Sequence, residues 1–331
     1  MATEQLRLIG PNGEQYVVLV TTVCSSTAIE LTATCDENST TLTKGTVLAR
    51  WRAEFEPPAP GGDPGHVSIG DGRIDIEVVG LRGIGLGSLL MRPIILWIKS
   101  CPNVPIAPIT LSADDAQSES SKNIRNRFYE KLGFRFTYKD GGTWGDSLTL
   151  DSHNLITPGE RLSHGWTVIS IAVRPPGDFG DREIDDFVSL VLAGAEVSRG
   201  GLRGRVMKAH CLAFMRRNSC LIGVAALKRP ELGYRTRVTK GAGVPIPRDT
   251  FEFELGWVFI LPSARGAELS FPLCESAVRA ANKAGIFATS RASNARMHAT
   301  MEKLGFLRAG SKWASKQVND SLRLFVRAPL D

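Results

Sequence analysis

A nine-residue stretch, Gly80-Leu81-Arg82-Gly83-Ile84-Gly85-Leu86-Gly87-Ser88, limits the fold of this chain more than any other feature. Before it, Ile74, Ile76 and Val78 alternate with Asp75, Glu77 and Val79, which predicts a strand over 73–80. After it, an apolar run predicts a helix over 86–99 with Pro93 inside it, a position that favours a kink. A strand that enters a helix through glycines presents free amide N–H groups at the helix start. An anion can approach that backbone closely. Arg82 adds a charge-assisted donor to the same place. A Walker loop needs a closing Gly-Lys-Ser/Thr, which is missing, and a dinucleotide fingerprint needs a glycine where Ser88 stands. The spacing that does fit is Arg-x-x-Gly-x-Gly, from Arg82 through Gly85 to Gly87.

The rest of the first half reads as strands over 4–56, notably Gln15 to Val23 and Thr46 to Phe55, with a loop from Pro57 to Gly65. A strand around Ile106 to Leu111, a polar helix from Ser118 to Lys131, and a hairpin turn at Asp140-Gly141-Gly142 follow. Leu150 to Pro158 reads as a linker. The second half restarts with a strand at Trp166 to Val173 and a helix from Asp181 to Val197. Strands at Cys211–Met215 and Cys220–Leu227 follow, then a basic insertion over 229–250. Phe253–Ile260 is a strand, Leu269–Ala284 a helix, Ile286–Thr289 a strand and Asn294–Lys303 a helix. Both halves thus repeat strand, Arg-Gly loop, helix, strand, helix, Gly-Phe and strand, which points to duplicated domains. The length of 331 residues agrees with two domains at roughly 150 residues each.

Arg82 to Gly87 resembles the acetyl-CoA loop of the GNAT N-acetyltransferase superfamily. Tyr129-Glu130-Lys131-Leu132-Gly133-Phe134 is similar to that family's usual helix ending. The resemblance implies two tandem GNAT folds of α/β (α+β) class, each a mixed, mostly antiparallel sheet flanked by helices. The domains are expected at 1–150 and 158–331. It implies acetyl-CoA or another acyl-CoA as cofactor, held by Leu81, Arg82, Gly83, Ile84, Gly85, Leu86, Gly87 and Ser88, with Asn126 nearby. It further implies direct attack of an amine acceptor on the thioester in a ternary complex. Tyr129 would protonate the departing thiolate, and Glu77 or Asp75 would take the amine proton, with backbone N–H groups near Val78 to Leu81 meeting the oxyanion. The helical asparagine expected seven residues before Tyr129 is Lys122 here.

The second half resembles the same family with a degenerate loop. Arg265 and Gly266 are kept, but Glu268 and Ser270 replace the two motif glycines, and Met301 stands where the first half has Tyr129. A carboxylate facing a diphosphate disfavours binding. Asn294, seven residues before Met301, matches the family, and Glu254 or Glu252 is the candidate base. The chemistry is therefore expected in the first domain. That domain shows no amphipathic helix pair between residues 10 and 45, so its acceptor cleft is expected to be open or walled by the second domain.

Between 199 and 248 there are twelve basic residues and one acidic, Glu231. That local balance of +11 leaves −5 for the remainder of a chain with net charge +6. Such a field attracts phosphates or acidic partners, and Arg199-Gly-Gly-Leu-Arg-Gly-Arg205 suggests nucleic acid or a solvated basic loop. Two alternatives to an enzyme working from its first domain therefore stay open: a non-catalytic acyl-CoA-binding or interaction scaffold, and an acetyltransferase directed to tRNA or DNA. The five histidines show no metal-ligand spacing and no Gly-x-Ser-x-Gly elbow occurs. Six scattered cysteines, no long apolar run and a non-basic start together suggest a cytoplasmic protein without a membrane partner.

Overall fold

The strand periodicity of the first fifty residues becomes a five-stranded antiparallel sheet. The structure, a computed structural model, describes residues 2–39, 41–62, 64–73, 81–315 and 319–330. It divides into two compact units, Met1–Ile169 and Ser170–Asp331. In the first, β1 (Ala2–Ile9), β2 (Gln15–Cys24), β3 (Ala28–Cys35), β4 (Val47–Glu56) and β5 (His66–Arg73) pair in that order, each antiparallel to the next. Along β4, Ala49, Trp51 and Ala53 are buried while Arg50 and Arg52 are exposed, the alternation a half-buried strand requires. Among the described residues of 10–45 there are strands and no helix.

Against β3 and β4 lies α1 (Leu86–Ser100), which contains Pro93. It buries Leu86, Leu90, Met91, Ile94, Ile95 and Ile98 at helical spacing. At about 2 kcal/mol for each buried side chain, this face is a main source of the unit's cohesion. α2 (Glu119–Lys131) starts at Ser118, whose hydroxyl accepts the Ser121 N–H. It brings Phe128 onto Trp51, rings stacked at 5.7 Å and 18°. The strand expected at Ile106–Leu111 shortens to β6 (Thr110–Leu111), with Ile106 in a single bridge to Val67. β6 joins β7 (Phe136–Lys139) and β8 (Trp144–Ser147) in a small sheet of order β6-β8-β7. The stretch read as a linker packs on this unit: Leu155 is buried and the Ile156 N–H donates to Leu132 O at 2.8 Å. The strand expected over 74–80, with Glu77, lies outside the described residues.

In the second unit the sheet order is β9-β10-β11-β12-β13-β15-β14. The strands are β9 (Thr167–Arg174, which the division between units crosses), β10 (Cys211–Arg217), β11 (Cys220–Lys228), β12 (Phe253–Ile260), β13 (Ile286–Arg291), β14 (Leu307–Ala314) and β15 (Ser321–Arg327). β12 and β13 run parallel, whereas β10–β11, β11–β12, β13–β15 and β14–β15 are antiparallel. A parallel pair needs a crossover, and α6 (Ser270–Arg279) supplies it.

On one face, α3 (Asp181–Ala193) and α4 (Leu202–Met207) cover Leu212, Phe214, Val224 and Ala226. α5 (Leu232–Ala242) covers Phe287 and Leu324. α6 lies on the opposite face, with Leu273 against Gly223, which alternates with Val224. α7 (Ala295–Lys303) completes the unit. The sequence missed α4 and α5, reading 199–205 and 229–250 as basic loops. Their buried faces are short (Leu202 and Val206 in α4; Arg235, Val238 and Ala242 in α5), so little apolar periodicity shows among the charges. Both units are therefore mixed, mostly antiparallel α/β structures flanked by helices. Among the described residues, no helix is long and apolar enough to cross a membrane.

Candidate active site in the second unit

The ladder between β12 and β13 is short. It joins Phe253 to Ile286, Glu254 to Phe287 and Leu255 to Ala288, and then the strands part. A cavity of about 1640 Å³ opens where they separate, with Gly256 to Ile260 on one wall and Thr289 to Arg291 on the other. The parting coincides with a bulge: β12 skips a residue against β11 between Val224 and Ala226, and Trp257 sits at φ 52°. A left-handed non-glycine residue costs about 1 kcal/mol or more, so packing has to hold it. Trp257 meets Phe187 edge-on at 6.3 Å and 78°.

Glu254 is the buried charge of this site, 3% exposed. Its carboxylate accepts the Tyr234 hydroxyl at 2.8 Å and pairs with Lys228 Nζ at 2.8 Å. Lys228 and Glu254 are direct partners in the β11–β12 register, so both point to the face that carries α3, α4 and α5. Burial of an ion is expensive unless it is paired and hydrogen-bonded, and Glu254 is both. Lys228 lies 5.1 Å from the Trp257 ring centre and 5.6 Å from that of Tyr234. Gly256 leaves room for it, since a Cβ there would come within 2.6 Å of the Lys228 chain. Burial and the Glu254 charge push the Tyr234 hydroxyl well above the ordinary phenol range, and its oxygen also lies 3.2 Å from Thr289 Oγ1. The sequence reading named Glu254 but missed Lys228, Tyr234 and Trp257. A lone lysine ending the apolar run Cys220–Leu227 was the available signal, because its register partner is Glu254.

At the far end of β12, Arg265 to Ser270 leads into α6. Gly266 has φ 93° and Glu268 φ 52°. The N–H groups of Leu269 and Ser270 meet no acceptor among the described residues, as a helix start allows. Glu268 lies on the rim of the cavity, its side chain 85% exposed and paired with Lys303 at 3.7 Å. Arg265 Nε donates to Ile260 O at 3.0 Å. Asn294 caps α7 by accepting the Met297 N–H at 3.1 Å, and both Arg265 and Asn294 line the cavity. Met301 is buried.

The first unit's loop has the same backbone. Gly83 has φ 75° and Gly85 φ 93°, and the N–H groups of Leu86, Gly87 and Ser88 meet no acceptor among the described residues. Leu81 and Ile84 are buried beneath the loop, and Ser163 fastens it by donating to Ile84 O at 2.8 Å. Tyr129 lies in an aromatic cluster, edge-on to Phe128 at 5.1 Å and to Phe134 at 6.0 Å. Asn126 accepts from Arg125 Nε at 3.0 Å and donates to Gly142 O at 3.4 Å. Of the basic segment, Arg203 is committed to Asp181 and Asp185, and Arg205 to the carbonyls of Ser198 and Gly200.

The second unit thus joins a mixed sheet and a glycine-turned helix start, which the GNAT resemblance implies, with a parted strand pair between them. Solved structures similar to the chain include acyltransferases matched over about half of this chain. An acyl-CoA N-acyltransferase from Pseudomonas aeruginosa is 16% identical over 48% of this chain and 99% of its own, at TM-score 0.37. A GNAT-family acetyltransferase from Streptococcus agalactiae is 13% identical over 49% of this chain and 96% of its own, also at 0.37. The yncA protein of Salmonella typhimurium, solved with its cofactor acetyl-CoA, is 15% identical over 49% and 95%, at 0.35. Neither the protein-family models nor the curated proteins give a match.

Proposed function

We propose that the chain is an acyl-CoA-dependent N-acyltransferase that transfers an acetyl group to an amine, with its chemistry in the second unit. The observation that carries this reading is the buried carboxylate of Glu254 beside the parted strands, at the edge of a cavity that also reaches the Arg265–Ser270 loop. The loop suits a diphosphate: Leu269 and Ser270 offer free N–H groups, Gly266 leaves its surroundings open, and the Glu268 charge is matched by Lys303. Bound acyl-CoA supplies the thioester carbonyl and the leaving thiolate.

Beyond Leu255 the β12 edge is free of β13, so its backbone N–H groups are available to an oxygen that gains negative charge. Glu254 accepts the proton that the amine loses as its nitrogen bonds to the acyl carbon. The carbon–sulfur bond breaks, and the thiolate takes its proton from solvent, since Met301 has none to give. The transfer is proposed as direct attack in a ternary complex, as the GNAT resemblance implies. Arg82, Gly85 and Gly87 form a second anion cradle in the first unit, and Tyr129 and Glu77 act there only if that unit turns over acyl-CoA by itself.

The test is amine-dependent release of CoA thiol from acetyl-CoA by the full chain, with Glu254→Gln beside it. Turnover by the wild type and its loss in the variant, with calorimetric acetyl-CoA binding retained, supports the reading. Full activity in Glu254→Gln moves the chemistry out of this cavity. Binding without transfer by the wild type leaves a scaffold.

A further inference from the structure

Glu254 points to the face of the second sheet where α5 packs, and α5 is an addition to the strand connection between β11 and β12. Basic side chains well outnumber carboxylates around the cavity. Most of the carboxylates are already matched: Glu254 by Lys228 at 2.8 Å, Glu196 by Arg291 at 3.1 Å and Glu268 by Lys303 at 3.7 Å. Three cations on the α5 side have no ion pair among the described residues, namely Arg237 and Lys240, one turn apart on α5, and Lys208 after α4. Residues three apart share a helix face, so Arg237 and Lys240 act on one point. Tyr234, on the same face of α5, fixes that helix to Glu254, and Arg237 lies 5.7 Å from its ring.

Resting on the reading above, we infer that α5 selects the acceptor: the amine also carries an anion, a carboxylate or a phosphate, which Arg237 and Lys240 hold while Glu254 faces the amine. A carboxylate next to a buried carboxylate would be repelled, so the two α5 cations set the acceptor's anion apart from Glu254. Arg237 supplies a planar two-point donor and Lys240 a point charge. The loop at Arg265–Ser270 belongs to another element, so the two anion positions are separable by mutation.

The test measures acetyl transfer by the full chain to a panel of matched primary amines bearing a carboxylate, a phosphate or no charge. Anionic amines are expected to exceed the neutral ones in kcat/KM by about tenfold or more, and the better arm names the anion. In Arg237→Ala/Lys240→Ala, whose positions are exposed, KM for the anionic acceptor is expected to rise about tenfold with KM for acetyl-CoA unchanged, and Arg237→Lys should recover part of the loss. Equal use of neutral amines overturns the inference. So does a rise in KM for acetyl-CoA, which would assign the two cations to the cofactor's phosphates. No transfer to any amine, with acetyl-CoA bound or not, removes the acyltransferase reading itself and this inference with it.

Discussion

The two strand-to-helix loops, Arg82–Ser88 and Arg265–Ser270, share a backbone and differ in residues. Left-handed conformations fall at the second and fourth positions of each: Gly83 and Gly85 in one, Gly266 and Glu268 in the other. Glycine adopts them without strain, whereas Glu268 pays for its place in conformational energy. A cup made of backbone N–H groups can thus outlive the glycines that announce it. The letters favour the first unit as the reactive one, and the cavity with its buried carboxylate favours the second.

The largest expected effect separates the units. Trp51→Ala empties the first unit's core and should cost about 3–5 kcal/mol. Calorimetry should show one melting step moved down, with acyl transfer intact at temperatures below it. Loss of transfer while the first unit is still folded would return the chemistry there. Next, Glu254→Gln should lower kcat by about a hundredfold or more, read from thiol release at saturating acetyl-CoA.

Alkali should also weaken the second unit. Burial pushes Cys211 up to about 11 and Cys274 up to about 12. The folded chain then keeps protons that the unfolded chain, with thiols near their ordinary value, has released. Stability from these groups is full below about pH 8 and falls as pH rises through 9 towards 12, by roughly 1 kcal/mol per thiol at pH 9.5. Urea titrations at pH 7.5 and 9.5 measure it, and Cys274→Ala should flatten the slope. The smallest effect is Glu268→Gly, which relieves the left-handed strain. It should stabilise the second unit by about 1 kcal/mol and tighten acetyl-CoA a few-fold in calorimetry. Unchanged stability would mean that the Lys303 pair at 3.7 Å offsets the strain.

Much of the architecture was legible because its signals are periodic. The strand over Phe253–Ile260 is found with those bounds, and the apolar spacing from Leu86 to Ile98 marks α1. The start of the polar helix at Ser118 was likewise readable. α5 was not, since only Arg235, Val238 and Ala242 are buried in it and Gly233 and Gly241 lower its helical preference. Of the site, Glu254, Arg265, Gly266 and Asn294 were named from the sequence. A sequence shows Glu268 opposing a phosphate but not that Lys303 lies 3.7 Å from its carboxylate. Nor does it show that a lysine on one strand and a tyrosine 20 residues before Glu254 converge on that carboxylate.

The placement of α5 has an evolutionary consequence. It sits in a surface connection, while the parted strands and the Arg265–Ser270 turn lie on the sheet scaffold. On the acceptor inference, exchange of the exposed Arg237 and Lys240 retunes which molecules are modified, while Tyr234 and the buried Val238 and Ala242 keep α5 on Glu254 and the core. Selection can work on two surface positions of one helix, and a laboratory can work on the same two.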